Sequence, residues 1–166
     1  MIDGGLVLDA RRLTKVYRRG SERVAAVDGV SIGIRAGEFV AVTGPSGSGK
    51  TTLVNLLGCL DNPTSGELDL AGRAIFAGGL ALSERALTRI RREVFGYVFQ
   101  SFHLIPTLTV RENVLLPLAF YRKPGTEGEA DRLLALLGID HRRDHYPGEI
   151  SGGEMQRVAI ARALVN

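Results

Sequence analysis

Hydrophobic positions change their spacing along this 166-residue chain. The first stretches are short: Leu6-Val7-Leu8-Asp9, Val24 to Val27, and Val30 to Ile34, separated by Gly-containing turns. They predict an antiparallel edge layer. Phe39-Val40-Ala41-Val42-Thr43 is then a continuous apolar run. A strand covered on both faces reads this way, so the run predicts a buried parallel strand leading directly into a glycine-rich turn. A helix from about Gly49 to Leu60 follows. Pro63-Thr64-Ser65-Gly66 predicts a turn, Glu67 to Leu70 a strand, Ser83 to Arg92 an exposed helix, and Phe95-Gly96-Tyr97-Val98-Phe99 another strand.

Helical spacing takes over beyond this point. Thr109 to Phe120 predicts a helix with Leu115, Leu116 and Phe120 on or near one face. Glu127 to Leu137 predicts a second, with Leu133, Leu134 and Leu137 inward, and Lys123 to Gly128 reads as the loop between them. Ser151 with Glu154 three residues later is the pattern of a capping box, which predicts a helix from Ser151 to Val165. The succession describes one α/β unit with a mainly helical insertion between about Gln100 and Gly148.

Composition narrows the class. The length allows one domain, and 45% apolar with 23% charged residues excludes a disordered or fibrous chain. The net charge is +3, and the three Lys and eighteen Arg form no stripe or tail, which argues against a nucleic-acid partner. So strong a bias to Arg makes Lys50 informative, as a position where a compact ammonium is needed. Cys59 is the only cysteine and lies in the apolar setting Leu56-Leu57-Gly58-Cys59-Leu60, which predicts a buried thiol in a reducing, cytosolic compartment. The start Met1-Ile2-Asp3-Gly4-Gly5 has no targeting pattern, and the longest later apolar run, Val114 to Phe120, contains Pro117; neither predicts a membrane span.

Gly44-Pro45-Ser46-Gly47-Ser48-Gly49-Lys50-Thr51 fits the spacing G-x-x-x-x-G-K-[ST], and it lies between a predicted strand and a predicted helix. Glycines let the backbone turn its N–H groups inward as an anion nest, and the helix N-terminus adds its positive end. Lys50 is placed to reach the β and γ phosphates, and the Thr51 hydroxyl to ligate Mg²⁺. Chance would give this pattern in about one chain in a hundred of this length, before the strand and helix context is required.

Kinases, G proteins and many ATPases share such a loop. The segment Ile150-Ser151-Gly152-Gly153-Glu154-Met155-Gln156-Arg157 resembles the signature of ATP-binding cassettes (ABC), and Phe99-Gln100 and Tyr17 stand where that family places further motifs. The chain therefore resembles an ABC-transporter ATP-binding subunit over nearly its whole length. Gly44 to Leu53, Leu57-Gly58-Cys59-Leu60-Asp61 and Pro63 to Gly66 resemble the branch of lipoprotein-releasing, macrolide-export and cell-division cassettes.

The resemblance implies a P-loop NTPase fold with an N-terminal antiparallel β layer, a helical insertion and an incomplete central sheet. It implies that Gly44, Pro45, Ser46, Gly47, Ser48, Gly49, Lys50, Thr51 and Thr52 hold ATP, and that Tyr17 stacks on the adenine, a contact of about 1 to 3 kcal/mol in nucleic-acid binders. Lys50 and Gln100 would act in catalysis, with Thr51 and Gln100 on Mg²⁺. Ser151, Gly152, Gly153, Glu154, Met155 and Gln156 would face the ATP held by a partner cassette. Arg157 reads as part of a solvated face. Implied partners are permease membrane subunits and a second copy or a complete cassette, with the chain peripheral on the cytoplasmic face of the cell membrane.

Family members continue past the signature helix into a strand ending in an Asp-Glu pair, a D-loop and a switch histidine, whereas this sequence ends at Leu164-Val165-Asn166. His103, His141 and His145 all precede the signature and are expected at the surface. Without the acid pair, weak ATP binding and lost or very slow hydrolysis are expected. Without the neighbouring strand, Phe39 to Thr43 keeps unpaired backbone groups and the chain is expected to be poorly stable alone. A truncated copy is the simplest reading, and a natural short regulator the other. Steady, Lys50-dependent phosphate release would overturn the expected inactivity. The rival classes are a non-transport ABC protein, a catalytically inactive binding fragment, and a kinase or GTPase; no guanine-reading Asn-Lys-x-Asp element occurs.

Overall fold

The computed structural model describes residues 5–120 and 127–165. They form two compact units, one up to Arg91 and one from Arg92 on. The loop expected at Lys123 to Gly128 lies largely outside the described residues, with Gly128 inside a helix.

The first unit is built on an antiparallel sheet of β1 (Leu6–Arg19), β2 (Glu22–Arg35), β3 (Ser65–Leu70), β4 (Arg73–Ala77) and β5 (Leu80–Ala81), in the order β2-β1-β3-β4-β5. Alternation buries Leu8 and Ala10 of β1 and Leu68 and Leu70 of β3, together with Leu13, Val27, Ile75 and Phe76. Helix α1 (Lys50–Leu57) lies against β1 and β2 and buries Leu56 and Leu57. It ends at Gly58, earlier than the predicted Leu60, because Cys59 turns to φ 57° and leaves the helical path.

Two expected strands, Val24 to Val27 and Val30 to Ile34, are one. Gly29 takes φ 61° inside β2, and its N–H is met by the Thr14 hydroxyl at 3.1 Å, so the glycine makes an irregularity in the ladder rather than a turn. The hairpins into β4 and β5 were not anticipated. Leu70 pairs with Arg73 across Ala71-Gly72, and Ala77 with Leu80 across Gly78-Gly79. All four loop residues have positive φ, the geometry that two-residue hairpins favour.

Neither Phe39 to Thr43 nor Phe95 to Phe99 is a ladder strand. An apolar run becomes a strand only when neighbouring backbones pair with it, and no described residue supplies a ladder to either. Phe39 is 96% exposed, so the burial expected for its run is not seen. Phe95, Tyr97 and Phe99 form a short stack, with ring centroids 5.7 and 6.0 Å apart. The sheet that forms among the described residues is the five-stranded antiparallel layer.

Helix α2 (Glu84–Val94) buries Leu87 and Ile90 and carries the chain into the second unit. There α3 (Val110–Ala119), α4 (Glu127–Leu136) and α5 (Gly152–Leu164) pack around Val110, Val114, Leu118, Leu133, Leu134 and Val158. Leu133 and Leu134 point inward as expected, and Leu137 packs partly against this core. The inward stripe of α3 is Val110, Val114 and Leu118, every four residues; of the positions expected on or near one face, Leu115 packs partly against this core, Leu116 is half-buried, and Phe120, the C-cap, is 64% exposed.

Asn113 is the fully buried polar residue of α3. Its Oδ1 accepts from the Ile105 N–H at 2.8 Å, and its Nδ2 donates to the carbonyls of Ile105, Leu108 and Thr109 at 3.0 to 3.1 Å. The side chain thereby holds the loop before α3. Asn113→Ala leaves the Ile105 N–H without its acceptor and frees the loop, and we expect a loss of about 2 to 4 kcal/mol in urea unfolding, against less than about 0.5 kcal/mol for exposed Leu136→Ala.

Candidate functional site

The loop between Thr43 and α1 is shaped by three glycines that an L side chain would strain: Gly44 at φ 152°, Gly47 at 80° and Gly49 at 84°. Gly49 is required twice over. β1 and β2 slip register between Lys15↔Val27 and Val16↔Ala25, which makes Ala26 the extra residue of a bulge. The Ala26 carbonyl oxygen then sits 1.9 Å from where a Cβ on Gly49 would lie. The bulge and the glycine fit one another, and together they set the entry to α1.

Gly49 is also the N-cap of α1, and it offers no side chain to the first-turn amides of Lys50, Thr51 and Thr52. Thr109 and Ser151, by contrast, cap α3 and α5 with their hydroxyls. Uncapped N–H groups at a positive helix end favour an anion. The Lys50 ammonium bends back over the loop and donates one hydrogen bond to the Pro45 carbonyl at 2.6 Å, which leaves two of its three N–H donors to reach a phosphate. Next to the loop a cavity of about 300 Å³ is lined by Ala26, Val27, Asp28, Gly44, Ser48 and Lys50 among others. Thr51, on the exposed first turn, presents a hard oxygen of the kind Mg²⁺ takes. The residues present therefore fit a phosphate chain and its metal.

Tyr17 stands near the end of β1, opposite Val24 and a short way along the hairpin from the pocket-lining Ala26 and Val27. The residue is 42% exposed and its hydroxyl donates to Asp61 Oδ2 at 2.8 Å. Lys15 Nζ lies 2.6 Å from Asp61 Oδ1 and 5.1 Å from the Tyr17 ring centre. These hydrogen bonds and the Lys15 charge outweigh partial burial and hold the Asp61 carboxyl below its usual range. Cys59, two residues earlier, is buried, and that burial pushes its thiol up.

In the second unit, Ser151 is the N-cap of α5 and the capping box is complete. Its Oγ accepts from Glu154 N–H at 3.3 Å, while Glu154 Oε2 accepts from the Ser151 N–H at 2.8 Å and from its hydroxyl at 2.7 Å. Arg142 Nε adds a 2.9 Å bond to Glu154 Oε1. The Ser151 hydroxyl proton is thus already directed to a carboxylate, and within the helix the amides without an acceptor are those of Gly152 and Gly153. Gln156 and Arg157 are exposed and Met155 packs partly against the core. His103 and His141 are exposed and His145 is half-buried, in contact with Arg142 at 3.3 Å.

The Ser151 N–H and hydroxyl, then Arg142, hold the Glu154 carboxyl down to about 2. A depressed folded-state value stabilises the fold above the unfolded value near 4.5 and loses that contribution as pH falls from about 4.5 towards 2. We expect Glu154→Gln to lower the thermal midpoint at pH 7 and to match wild type near pH 2, read by circular dichroism melts.

Gln100 lies on an exposed turn after the Phe95 to Phe99 segment. Two residues on, Phe102 and His103 adopt positive φ, and Arg162 of α5 donates to both of their carbonyls. The sequence marks Gln100, by resemblance, but gives no sign of Arg162, Lys15 or Arg142, and Asp61 stands in it only as part of a branch motif. Such residues act through partners far along the chain, and local spacing carries no sign of them.

A sequence model of the ABC transporter family matches residues 27–166. The macrolide export ATP-binding/permease protein MacB of Shigella flexneri is 45% identical over 165 residues, covering 96% of this chain and 24% of that protein. The lipoprotein-releasing system ATP-binding protein LolD of Pseudomonas fluorescens is 47% identical over 162 residues, covering 96% and 70%. The chain thus spans about a quarter of the MacB relative and about two thirds of the LolD one. Among solved structures, a dimeric ATP-binding cassette in a post-hydrolysis state, bound to ADP and Pi, superposes with a TM-score of 0.86 at 44% identity, covering 96% of this chain and 69% of that one. Among the described residues no helix is long and apolar enough to cross a membrane. Glycine loop, uncapped helix end and signature helix occur in one chain with these likenesses, and the chain belongs to the ABC transporter family.

Proposed function

We propose that the chain is the nucleotide-binding part of the ATP-binding subunit of an ABC transporter, a subunit that couples nucleotide binding and hydrolysis to movement in separate membrane subunits. The observation that carries this reading is the uncapped, glycine-shaped N-terminus of α1 with the Lys50 ammonium folded over it. Gly44 to Gly49 shape the turn, the amides of Lys50 to Thr52 face the phosphates, Lys50 neutralises them, and Tyr17 stacks on the base. Thr51 would hold Mg²⁺, which when bound neutralises charge on the phosphate oxygens.

The signature helix completes the reading. Ser151 to Gln156 would face the phosphates held by a second copy or by a complete cassette, with the amides of Gly152 and Gly153 as the available donors. This matches the dimeric arrangement named for the structural relatives. The region from about Gln100 to Gly148 is the helical subdomain in this proposal, and it meets permease subunits on the cytoplasmic face of the membrane. A macrolide-export or lipoprotein-release system, as the relatives are named, is the kind of machinery the subunit would serve.

Sedimentation equilibrium tests the two-cassette site. With Mg²⁺, ATP should raise the apparent mass from one copy to two, while ADP and the Lys50→Ala variant should leave it at one. An unchanged mass with ATP, alone and with a complete cassette added, would overturn the proposal.

A further inference from the structure

Between the end of α1 and β3, residues Gly58 to Thr64 form a braced loop. The N–H groups of Leu60 and Asp61 both bond the Asn55 carbonyl, at 2.8 and 3.3 Å, which ties the loop to the last turn of α1. Thr64 ties its other end to β1: its N–H donates to the Thr14 carbonyl at 2.8 Å and its hydroxyl accepts from Val16 N–H at 3.0 Å. Asp61 is held at the centre of this frame. Its Oδ1 accepts from the Asn62 N–H at 2.7 Å and from Lys15 at 2.6 Å, and Lys15 also bonds the Asn62 carbonyl at 2.6 Å. The remaining oxygen, Oδ2, takes the Tyr17 hydroxyl at 2.8 Å.

The Tyr17 ring is therefore fixed at both ends. Its Cβ is set by β1, its phenol oxygen by a carboxylate whose loop is bonded to α1, and the Lys15 ammonium lies 5.1 Å from its ring centre. An exposed tyrosine without such an anchor rotates freely and loses that freedom when a base stacks on it. We propose that Asp61 is a positioning residue for nucleotide binding: with Lys15 as its counter-ion, it pre-sets the Tyr17 ring for the base and so favours nucleotides over bare polyphosphates. This rests on the reading of Tyr17 as the base-stacking residue. Asp61 itself contacts the ring's hydroxyl and not the nucleotide.

The test compares ATP with inorganic tripolyphosphate, which has no base, by equilibrium titration of the full chain with Mg²⁺. Asp61→Asn and Tyr17→Phe should each weaken ATP about three- to tenfold, the cost of freeing one side chain, and leave tripolyphosphate unchanged. The double variant should be no weaker than the weaker single one, because both substitutions act on the one Tyr17–Asp61 contact. ATP affinity unchanged in Asp61→Asn, or ATP and tripolyphosphate weakened equally, would overturn the positioning role. Tyr17→Ala separates the two levels. If it binds ATP as wild type does, the base-stacking reading itself is wrong. If it weakens ATP while Asp61→Asn and Tyr17→Phe do not, stacking stands and Asp61 is excluded.

Discussion

Gly49→Ala should abolish ATP binding and unfold the first unit's loop, while Gly47→Ala should leave a folded chain. Both glycines have positive φ, so each substitution carries the strain of a left-handed backbone, about 1 to 2 kcal/mol. The surroundings separate them. A Cβ at Gly47 meets nothing within 4 Å, whereas at Gly49 it would lie 1.9 Å from the Ala26 carbonyl oxygen and 3.1 Å from its carbon. Those atoms are backbone, fixed in the bulge between β1 and β2, and no rotamer change relieves the contact. We expect the urea midpoint of Gly49→Ala to fall well below that of Gly47→Ala, with a stability difference of about 2 kcal/mol or more. Equal midpoints would show that the bulge and the loop do not fit as described.

Lys50→Ala should be nearly neutral for folding and severe for binding. The side chain makes one hydrogen bond within its own loop, to Pro45, so removing it unsettles little of the core. A charge-assisted bond to phosphate is worth about 2 to 3 kcal/mol, which predicts affinity for ATP about 30- to 150-fold weaker by titration calorimetry. Lys50→Arg should recover only part of it, because a planar fork cannot occupy the position of a compact ammonium. Wild-type affinity in Lys50→Ala would remove the loop's central cation from the account.

Much of the site was legible because its parts are local. The loop's spacing, the helix that follows it and the Ser151/Glu154 capping box each depend on residues a few positions apart, and the structure forms them where the sequence places them. Misreadings arose where pairing decides. Phe95 to Phe99 has the composition of a strand, yet a ladder depends on a neighbour that composition cannot supply; Phe39 to Thr43 has no ladder, as its expected unpaired backbone implies, but is not buried as its apolar run suggests. Gly29 reads as a turn and is a ladder irregularity, because Thr14 on the adjacent strand satisfies its amide. The Gly78-Gly79 hairpin, by contrast, carries a recognisable signal in its glycine pair.

The groups around the site were hidden for the same reason. Tyr17 was picked out by resemblance, but its bond to Asp61 spans 44 positions. The bulge that places the Ala26 carbonyl against Gly49 arises from how two long strands pair.

Competitive titration of the full chain tests the proposed phosphate site most directly. ATP should bind saturably and more tightly with Mg²⁺ than without, adenosine should bind far more weakly, and inorganic tripolyphosphate should displace ATP one for one. Adenosine binding as tightly as ATP, with tripolyphosphate unable to compete, would contradict the assignment of Gly44 to Thr51 as the groups that hold the nucleotide.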